Sequence, residues 1–332
     1  MARHNRRYAK NVVSGLGLKE DDLVVEIASN DGSLLSCFRE HGVRTLGIEP
    51  ARNIAAVARE RCIDTIDEFF SLDLAAKVRN DHGVASTVVA NNVLAHVDDT
   101  RDFLSGCREL IDEGFIITEF PYLGELLEKQ EYDTVYHEHL CYFSVIALMR
   151  LYQAVDLVIV KIEQTSVHGG SLRVYAARNS EQRPCHTQGV LDMAERECQL
   201  GYQTSRPYEA LSEAVRANRE ALLKLLTDLK DGGNQIAAYG ASAKGNTLLN
   251  YCGITTKQID YIVDKNPLKV GLYTPGTHIP VVPVSTLKSK RPNYILILAW
   301  NYAEEIMKGQ TEFTGSGGKF ILPIPRPKVI GV

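Results

Sequence analysis

The residues Leu23-Val24-Val25-Glu26-Ile27-Ala28-Ser29-Asn30-Asp31-Gly32 form an apolar run that ends in polar residues and a glycine. Such a short run predicts a strand that is buried on both faces of a sheet, and the glycine predicts a turn into a helix from about Ser33. Residues 44–49 repeat the apolar pattern. Pro50 follows them and suits the first turn of a helix, because its missing N–H is not needed there. Alternating strands and helices indicate an α/β fold with a mostly parallel sheet.

Further segments of the first two hundred residues have the composition of strands or helices of the same layer. The expected strands are residues 86–90, 115–118, 157–163 and 171–177. The expected helices are residues 102–110 and 145–154. We therefore expect a first domain that spans residues 1–204.

A long helix and a second α/β pattern follow. Residues 206–229 contain no helix breaker and lead to Gly232-Gly233, so we expect a connecting helix within residues 205–233. Beyond it, a strand at residues 235–239, a small-residue loop, a helix and two further apolar strands predict a smaller α/β domain over residues 234–332. The length supports two domains, because 332 residues exceed the usual size of one.

The composition is that of an ordinary globular protein, and it limits the classes of partner. The formal net charge of −4 gives no general attraction for nucleic acid, whose binding proteins are usually basic. The run Arg3-His4-Asn5-Arg6-Arg7 suits a phosphate-binding arm or a solvated helix face, and we expect the latter. No apolar run approaches the roughly 20 residues that span a membrane, and we expect no secretory signal.

The seven cysteines are spread along the chain without a CxxC pair. This distribution argues against a zinc cluster and against a disulfide framework, and it is typical of a reducing compartment. We therefore expect a soluble, cytoplasmic protein whose partners include neither nucleic acid nor a membrane.

The turn after the first strand predicts a cofactor site, because ligands of open α/β sheets bind at the carboxyl ends of strands. Asp31 and Asn30 suit a cationic amino-acid group, and Glu49 can accept both hydroxyls of a ribose. A dinucleotide would favour GxGxxG after the strand, whereas Gly15-Leu16-Gly17 precedes it. Because the Asp31 carboxylate would repel a pyrophosphate but suits positive groups, we expect S-adenosylmethionine; a plain structural turn is the alternative. The predicted cofactor-binding residues are Glu26, Ser29, Asn30, Asp31, Gly32, Glu49, Pro50 and Asn92.

Residues 132–144 are unusually rich in aromatic and ionisable side chains. A histidine there could act as a general base, since its pKa lies near neutrality and a carboxylate neighbour can fix its tautomer. His137-Glu138-His139 could also suggest a metal site, but the side chains of adjacent residues point in different directions and HExxH spacing is absent, so we expect no metal. A purely structural role is the alternative. His96 is a weaker candidate, because it suits a core histidine equally well.

A second ligand site is predicted in the smaller domain. Gly240-Ala241-Ser242-Ala243-Lys244-Gly245 brings backbone N–H groups and a lysine to the start of a helix, which suits a diphosphate. We expect no carboxylate to intrude on this loop, and Asp264 could bind a hydroxyl; a merely structural turn is the alternative. His168-Gly169-Gly170-Ser171-Leu172-Arg173 offers hydrogen-bond donors and a positive charge, or is simply a hairpin turn. The predicted substrate-binding residues are His168, Gly169, Gly170, Ser171, Arg173, Gly240, Ala241, Ser242, Lys244 and Asp264.

Together these motifs resemble those of a known family, the S-adenosylmethionine-dependent C-methyltransferases of nucleotide-deoxysugar pathways. The resemblance covers nearly the whole chain. Its middle and C-terminal motifs are specific, while the first is shared more widely among methyltransferases. The matching motifs are residues 26–32, 46–50, 91–97, 136–139, 142–144, 168–173, 239–246 and 263–267.

The resemblance implies a Rossmann-like methyltransferase domain followed by a second, smaller Rossmann-like α/β domain that helps to bind a nucleotide sugar. It also implies that Tyr136, Glu138 and His139 line the reacting sugar, with His139 as the favoured base and His96 nearby. The implied reaction forms an enolate beside a ketone of a nucleotide-linked deoxysugar and then methylates the carbon. The predicted catalytic residues are His139, Glu138, Tyr136 and His96.

Two other functions are open at this point. An NAD(P)-dependent nucleotide-sugar oxidoreductase would use the Gly240 loop for its cofactor, although that loop lacks GxGxxG. A catalytically silent nucleotide-sugar-binding protein would not need the cluster at residues 136–139. Members of the family also usually begin with a cysteine-rich zinc module and a substrate-facing tyrosine region. This sequence starts after both, and Tyr8 is the only tyrosine before the first strand.

Overall fold

The computed structural model describes most of the chain as two compact units. The described residues are 2–165, 169–183 and 185–331. His168, one of the predicted substrate-binding residues, lies outside these ranges. The first unit comprises Met1–Leu123 and Leu140–Gln203. The second unit comprises Gly124–His139 and Thr204–Val332.

Helices and strands alternate along most of the described chain. The helices are α1 (Ala2–Leu16), α2 (Ser33–Arg39), α3 (Arg52–Glu60), α4 (Leu72–His82), α5 (Thr100–Leu110), α6 (Leu123–Lys129), α7 (Val145–Gln153), α8 (Gln188–Gln199), α9 (Arg206–Asp231), α10 (Ala243–Cys252), α11 (Thr286–Lys290), α12 (Ala303–Lys308) and α13 (Thr311–Gly315). The strands are β1 (Leu23–Ile27), β2 (Arg44–Ile48), β3 (Thr65–Ile66), β4 (Ala85–Asn91), β5 (Ile111–Pro121), β6 (Leu157–Thr165), β7 (Ser171–Arg178), β8 (Ile236–Tyr239), β9 (Tyr261–Asp264), β10 (Val281–Pro283), β11 (Tyr294–Ile297), β12 (Lys319–Leu322) and β13 (Lys328–Ile330). Within the described ranges, each helix is either too short or too polar to cross a lipid bilayer.

One sheet forms the centre of the first unit, with its strands in the order β3-β2-β1-β4-β5-β7-β6. Strands β1 to β5 run parallel to their neighbours, whereas β7 lies antiparallel between β5 and β6. The two β-rich segments beyond residue 150 therefore extend this sheet, as the sequence predicts. Because β1, β2 and β4 are parallel, the turns that follow them lie at the same edge.

Apolar cores lie on both faces of this sheet. Side chains alternate along β1, so Val25 belongs to the core that includes residues of α4 and α5. Val24 belongs to the opposite core, which includes residues of α1 and α2. Burial of both faces is what the continuous apolar run of β1 predicts.

The second unit has a sheet of its own, with its strands in the order β10-β9-β8-β11-β12-β13. Strands β8 to β12 are parallel to their neighbours, and β13 forms an antiparallel edge. The chain builds the sheet outward from β8, first to one side and then to the other. Strands β8 and β11 therefore flank the point where the strand order reverses, which is where open α/β sheets bind ligands.

Residues 124–139 belong to the second unit although their sequence interrupts the first. The expected first domain contained these residues, and the expected connecting helix is instead α9 of the second unit. The physical reason lies at Tyr132, which is buried in the core that includes residues of α9. Its hydroxyl donates a hydrogen bond of 2.8 Å to Oδ1 of Asn218. Residues 124–139 therefore belong to the second unit because of contacts with residues of α9, which lie far away in the sequence.

Pro50 does not occupy the first turn of a helix, contrary to the expectation from its sequence position. Helix α3 begins at Arg52 and has Ala51 as its N-cap residue. The backbone N–H of Ala51 donates to Oε1 of Glu49 over 2.9 Å. This bond keeps residues 49–51 in a turn ahead of the helix.

Glu197 of α8 anchors the start of α7 in the first unit. Its side chain is buried, and its carboxylate accepts hydrogen bonds from the N–H groups of Val145 and Ile146, at 2.7 and 2.9 Å. The hydroxyl of Tyr122 also donates to it, at 2.7 Å. The first N–H groups of a helix have no partner within the helix, and negative charge is favourable at this end. Glu197 therefore stabilises α7 from a neighbouring helix.

We expect Glu197→Ala to lower the free energy of unfolding by about 3 kcal/mol, because charge-assisted hydrogen bonds are lost and buried donors are left unpaired. Urea denaturation of the full chain measures this change. The control is Glu195→Ala, at an exposed position of the same helix, which should change stability by no more than about 0.5 kcal/mol. Equal transition midpoints for the two variants would contradict the anchoring role of Glu197.

Candidate functional site

The turn after β1 contains three residues in the left-handed region of backbone conformation. The φ angle is 54° at Ala28, 52° at Asn30 and 70° at Gly32, a region that is costly for residues other than glycine and is concentrated at functional sites. A Cβ atom on Gly32 would also lie 3.1 Å from Cγ1 of Ile63. The chain thus winds tightly at the carboxyl end of β1 without a GxGxxG pattern, because alanine and asparagine occupy two of the strained positions.

Glu49 ties this turn to the end of β2. Its side chain is buried, and Oε2 accepts a hydrogen bond of 3.0 Å from the backbone N–H of Asn30. Oε1 accepts the bond from Ala51 described above. An ionised carboxylate has about four lone-pair positions. Glu49 therefore keeps lone pairs beyond the two that Asn30 and Ala51 occupy.

Glu26 is a carboxylate residue within β1 whose charge is not balanced by a neighbouring cation among the described residues. It is buried, and its Oε2 has no hydrogen-bond partner within the described chain. Burial is the main cause that raises the pKa of Glu26 well above its usual range, and the negative charge of Asp31 adds to it. An unpaired buried carboxylate oxygen is costly. A cationic ligand group at this edge would relieve that cost.

Asp31 is less available than the sequence suggests. Its Oδ2 lies 2.8 Å from Nη1 of Arg61, and its Oδ1 accepts a bond from the backbone N–H of Ser33. Burial alone would raise the pKa of Asp31, but the hydrogen bonds from Ser33 and Arg61 outweigh burial and lower it. The carboxylate of Asp31, which the sequence predicts as the partner of a cationic ligand group, is thus already paired with Arg61. Glu26 instead has a carboxylate oxygen without a hydrogen-bond partner among the described residues.

Ser29, Asn92 and His96 are the other predicted residues of the first unit's ligand edge. Ser29 is buried with no recorded partner for its hydroxyl among the described residues. Asn92 follows β4 with φ of 55°, and its backbone N–H donates to the carbonyl of Glu119 over 2.6 Å. His96 is exposed at the end of a short 3-10 turn, so it is not a core histidine. All three follow parallel strands.

The Gly169-Gly170 segment leads from the β6 side into β7, and the two strands pair antiparallel up to Ser171. Arg173, which was expected to offer a free positive charge to substrate, is buried. Its Nη2 lies 2.7 Å from Oε2 of Glu119, and its guanidinium lies 4.1 Å from the ring centroid of Tyr8. The charge of Arg173 is therefore neutralised inside the unit, which corrects the expectation.

His139 and Tyr136 face each other in the second unit, with their ring centroids 4.4 Å apart. Nδ1 of His139 lies 2.8 Å from the carbonyl oxygen of Thr134. Because a carbonyl can only accept, Nδ1 carries the proton and Nε2 carries the basic lone pair. The hydroxyl of Tyr136 lies 3.4 Å from Nε2. The pair thus presents a basic nitrogen beside a hydroxyl donor.

Glu138 does not set this tautomer, although the sequence suggests a carboxylate for that role. Its side chain is exposed, and the acceptor at Nδ1 of His139 is the backbone of Thr134. Burial raises the pKa of Tyr136, and the negative charge of Glu138 adds to the effect. Burial and, to a smaller extent, the charge of Glu138 therefore both favour the protonated phenol of Tyr136.

The Gly240 loop of the second unit repeats the arrangement found at Glu49. The backbone N–H of Ala241 donates to Oδ2 of Asp264 over 2.7 Å, and Oδ1 of Asp264 accepts from the N–H of Asn266, also at 2.7 Å. The expectation that no carboxylate approaches this loop is therefore wrong, because Asp264 binds it directly. Ser242 caps α10 by accepting a bond from Gly245 N–H.

Lys244 lies in a cluster that the sequence analysis missed. Its ammonium sits 4.0 Å from the ring centroid of Trp300, and Nε1 of Trp300 donates to Oδ2 of Asp133 over 2.7 Å. Burial raises the pKa of Glu131 to about 7 and that of Asp133 to about 6. Burial lowers the pKa of Lys244, and both carboxylates oppose that shift. The signal available in the sequence was a lone tryptophan at the carboxyl end of an apolar strand.

Comparison with known proteins adds two matching family models. A model described as a methyltransferase domain matches residues 1–162, and one described as a C-methyltransferase C-terminal domain matches residues 166–325. The chain is also similar to the C-methyltransferase NovU of Streptomyces niveus. The two are 37% identical over 331 residues, which is 98% of this chain and 78% of that protein.

Some solved structures are similar to about half of the chain. Magnesium protoporphyrin IX methyltransferase of Synechocystis PCC 6803, with bound S-adenosylmethionine, is 15% identical over 52% of this chain and 79% of that one, with a TM-score of 0.39. A Thermotoga maritima protein, described as a possible histamine N-methyltransferase, is 15% identical over 52% of this chain and 90% of that one, with a TM-score of 0.36. The strand orders given above are those of this chain and do not depend on these similar structures.

The buried carboxylate of Glu131 should make stability depend on pH. Its folded-state pKa of about 7 lies above that of an unfolded glutamate, so the folded state binds more protons in that window and loses stability as pH rises through it. We expect Glu131→Gln to reduce the loss of unfolding free energy between pH 5.5 and pH 7.5. Urea denaturation at the two pH values measures it.

The matched control is Glu128→Gln, which removes an exposed carboxylate of the same segment. It should keep the pH dependence of the unmodified chain. The groups that act on Glu131 are Lys129, Lys244, Asp133 and Glu125, and all are retained in both variants. Identical pH dependences for Glu131→Gln and the unmodified chain would show that Glu131 is not buried as described.

Proposed function

The chain belongs to the C-methyltransferase family and uses S-adenosylmethionine, and from this premise we propose that it methylates a carbon atom of a nucleotide-linked ketodeoxysugar. The proposal rests on one repeated arrangement. Glu49 directly follows β2 and Asp264 ends β9, the second strand of each unit, and each accepts a hydrogen bond from the turn after the first strand. A carboxylate at this position suits the hydroxyls of a nucleoside. Two such sites fit a reaction between an adenosyl methyl donor and a nucleotide-linked acceptor.

The first unit offers groups that fit S-adenosylmethionine. Glu49 would accept hydrogen bonds from the ribose hydroxyls with its remaining lone pairs. The unpartnered Oε2 of Glu26 would accept from the ammonium group of the amino-acid end. The left-handed turn at Asn30 and Gly32 exposes backbone that a ligand can approach closely. Ser29 and Asn92 are the proposed neighbours of this ligand.

The second unit offers groups that fit a nucleoside diphosphate. The loop from Gly240 leads into the positive end of α10, which favours phosphate groups. Asp264 would accept from a hydroxyl of the nucleoside. Lys244 lies at the start of the same helix, although its charge also compensates the buried carboxylates Glu131 and Asp133. Gly169 and Gly170 of the first unit stay candidate substrate-binding residues.

Carbon becomes nucleophilic when a proton next to a ketone is removed. We assign this step to Nε2 of His139, which carries the basic lone pair because Nδ1 donates its proton to the carbonyl of Thr134. The electron pair of the broken C–H bond forms an enolate, and the hydroxyl of Tyr136 would donate to its oxygen. An oriented donor at a developing oxyanion is among the strongest catalytic effects. When bound, S-adenosylmethionine supplies the electrophilic methyl group that the enolate carbon attacks.

The comparisons favour this reaction over the two alternatives. Methyltransferase models match both halves of the chain, which gives no support to an NAD(P)-dependent oxidoreductase. A silent binding protein would have no need for the ordered pair of Tyr136 and His139. The similar protein NovU is described as a C-methyltransferase, which supports carbon as the acceptor atom.

The two nucleoside sites can be separated by a crossed pair of variants. Glu49→Ala should weaken S-adenosylmethionine binding by about 1.5–3 kcal/mol, the usual contribution of hydrogen bonds to a charged group, and leave nucleoside diphosphate binding unchanged. Asp264→Ala should do the reverse. Calorimetry of each variant with each ligand measures this. If both variants weaken both ligands equally, the two carboxylates only maintain structure, and the assignment fails.

The role of His139 can be tested by proton exchange. His139→Ala should lower turnover by the ~10²–10⁴-fold typical of a lost general base, with S-adenosylmethionine affinity intact. It should also abolish exchange of the α-proton of nucleoside-diphosphate ketosugars with deuterated water, measured by NMR without methyl donor. The control is His137→Ala, an exposed neighbour, which should retain exchange. Undiminished exchange in His139→Ala would transfer the role to Tyr136, Glu138 or His96.

A further inference from the structure

Two carboxylates and one lysine lie together inside the second unit. Glu131 and Asp133 are 1% and 0% exposed, and one oxygen of each has no hydrogen-bond partner within the described chain. Lys244 interacts electrostatically with both. The catalytic proposal uses neither carboxylate. The cluster therefore needs an explanation of its own.

Stability does not explain this cluster. Transfer of a carboxylate from water into a protein interior is costly, and an oxygen left without a partner adds to the cost. Replacement of buried charged groups by well-packed apolar residues is often neutral or stabilising. In some proteins, buried charged groups such as Glu131 and Asp133 are retained because they specify one local conformation.

The structure connects the cluster to the proposed base. Asp133 lies in the 3-10 turn Tyr132–Thr134, and the next residue in that turn supplies the carbonyl that accepts from Nδ1 of His139. On one side, Asp133 is bound by the indole N–H of Trp300.

On the other side, Tyr132 donates to Asn218. The amide of Asn218 in turn donates to the carbonyls of Pro323 and Pro325, both at 2.8 Å. The turn is therefore held at Tyr132 and at Asp133, the two residues that precede Thr134. Both attachments restrain the turn that contains the Thr134 carbonyl, which also accepts a hydrogen bond of 3.2 Å from the backbone N–H of Tyr136.

We propose that Asp133 is a positioning residue: bound by the indole N–H of Trp300, it orients the turn whose Thr134 carbonyl holds His139 in the Nδ1–H tautomer. The assignment of Asp133 rests on the proposed role of His139. Either ring nitrogen of a neutral imidazole can carry the proton. Only the Nδ1–H form leaves the lone pair at Nε2, beside the hydroxyl of Tyr136. Loss of the Asp133 contact would release the carbonyl and mix the two forms.

Three variants separate the contacts of Asp133. Trp300→Phe keeps the ring and removes the N–H donor. Asp133→Ala removes the acceptor, whereas Asp133→Asn keeps an acceptor oxygen of the same size and should restore the contact. Glu312→Gln is the matched control, because it neutralises a carboxylate of the same unit that pairs with Lys288 on the surface.

The tautomer is measured by ¹⁵N NMR on the full chain labelled at its nine histidines, without any ligand, and His139 is assigned from the signal that His139→Ala lacks. We expect Nδ1–H in the unmodified chain, in Asp133→Asn and in Glu312→Gln. We expect a mixture of tautomers in Asp133→Ala and Trp300→Phe. An Nε2–H form in the unmodified chain would overturn the proposal. So would an unmixed Nδ1–H form in Asp133→Ala and Trp300→Phe, and Trp300→Phe decides if Asp133→Ala does not fold.

Kinetics provide the second readout. With a nucleoside-diphosphate ketosugar that the unmodified chain methylates, Trp300→Phe should lower kcat by up to the ~10²-fold that a small misplacement of a reacting group costs. The KM for S-adenosylmethionine should stay constant, because its proposed residues lie in the first unit. An unchanged kcat in a variant with mixed tautomers would overturn the link to catalysis. The tautomer needs no substrate, so a failure of the proposed function and a failure of this proposal give different results.

Discussion

The structure depends on a hydrogen bond from the turn after the first strand of a sheet to a carboxylate at the end of the second. In the first unit Asn30 donates to Glu49, and in the second Ala241 donates to Asp264. The bond fixes a turn whose backbone is strained, and the bound carboxylate keeps lone pairs for a ligand. The same hydrogen bond thus occurs in two units whose sequences are otherwise different, and the proposed reaction needs a nucleoside site in each.

Elements and strand-end acids were predictable because their signals are local. The apolar runs at β1, β2, β8 and β11 predicted buried parallel strands, and the acids after β2 and β9 followed from strand ends alone. The pairing of Arg173 with Glu119 could not be predicted, since it joins neighbouring strands whose order the sequence does not state. The unpaired oxygen of Glu26 could not be predicted either, because it depends on which side chains the fold places beside it. A sequence pattern shows where a charged residue lies along the chain, but only the fold determines which charged residue pairs with it.

The His139 segment shows how far a motif can be interpreted. Its composition predicted a base at His139, and the structure places the ring of Tyr136 beside this histidine. The carboxylate expected to set the tautomer was the adjacent Glu138, whereas a backbone carbonyl at Thr134 does so. Backbone groups carry no sequence signature, so their roles appear only with the fold. The residue that precedes Thr134 accepts a hydrogen bond from Trp300, which lies more than 160 residues away in the sequence.

The chain passes between its two units at three places, because residues 124–139 belong to the second unit while their flanks belong to the first. During synthesis on the ribosome, the segment that carries His139 emerges before residues 204–332, which contain the rest of its unit. It therefore waits, unpaired, until those residues are made. The same arrangement limits recombination. A single genetic crossover near residue 204 would exchange residues 204–332 of the second unit but not the segment that contains His139. Exchange of the second unit among relatives thus requires that residues 124–139 be exchanged as well.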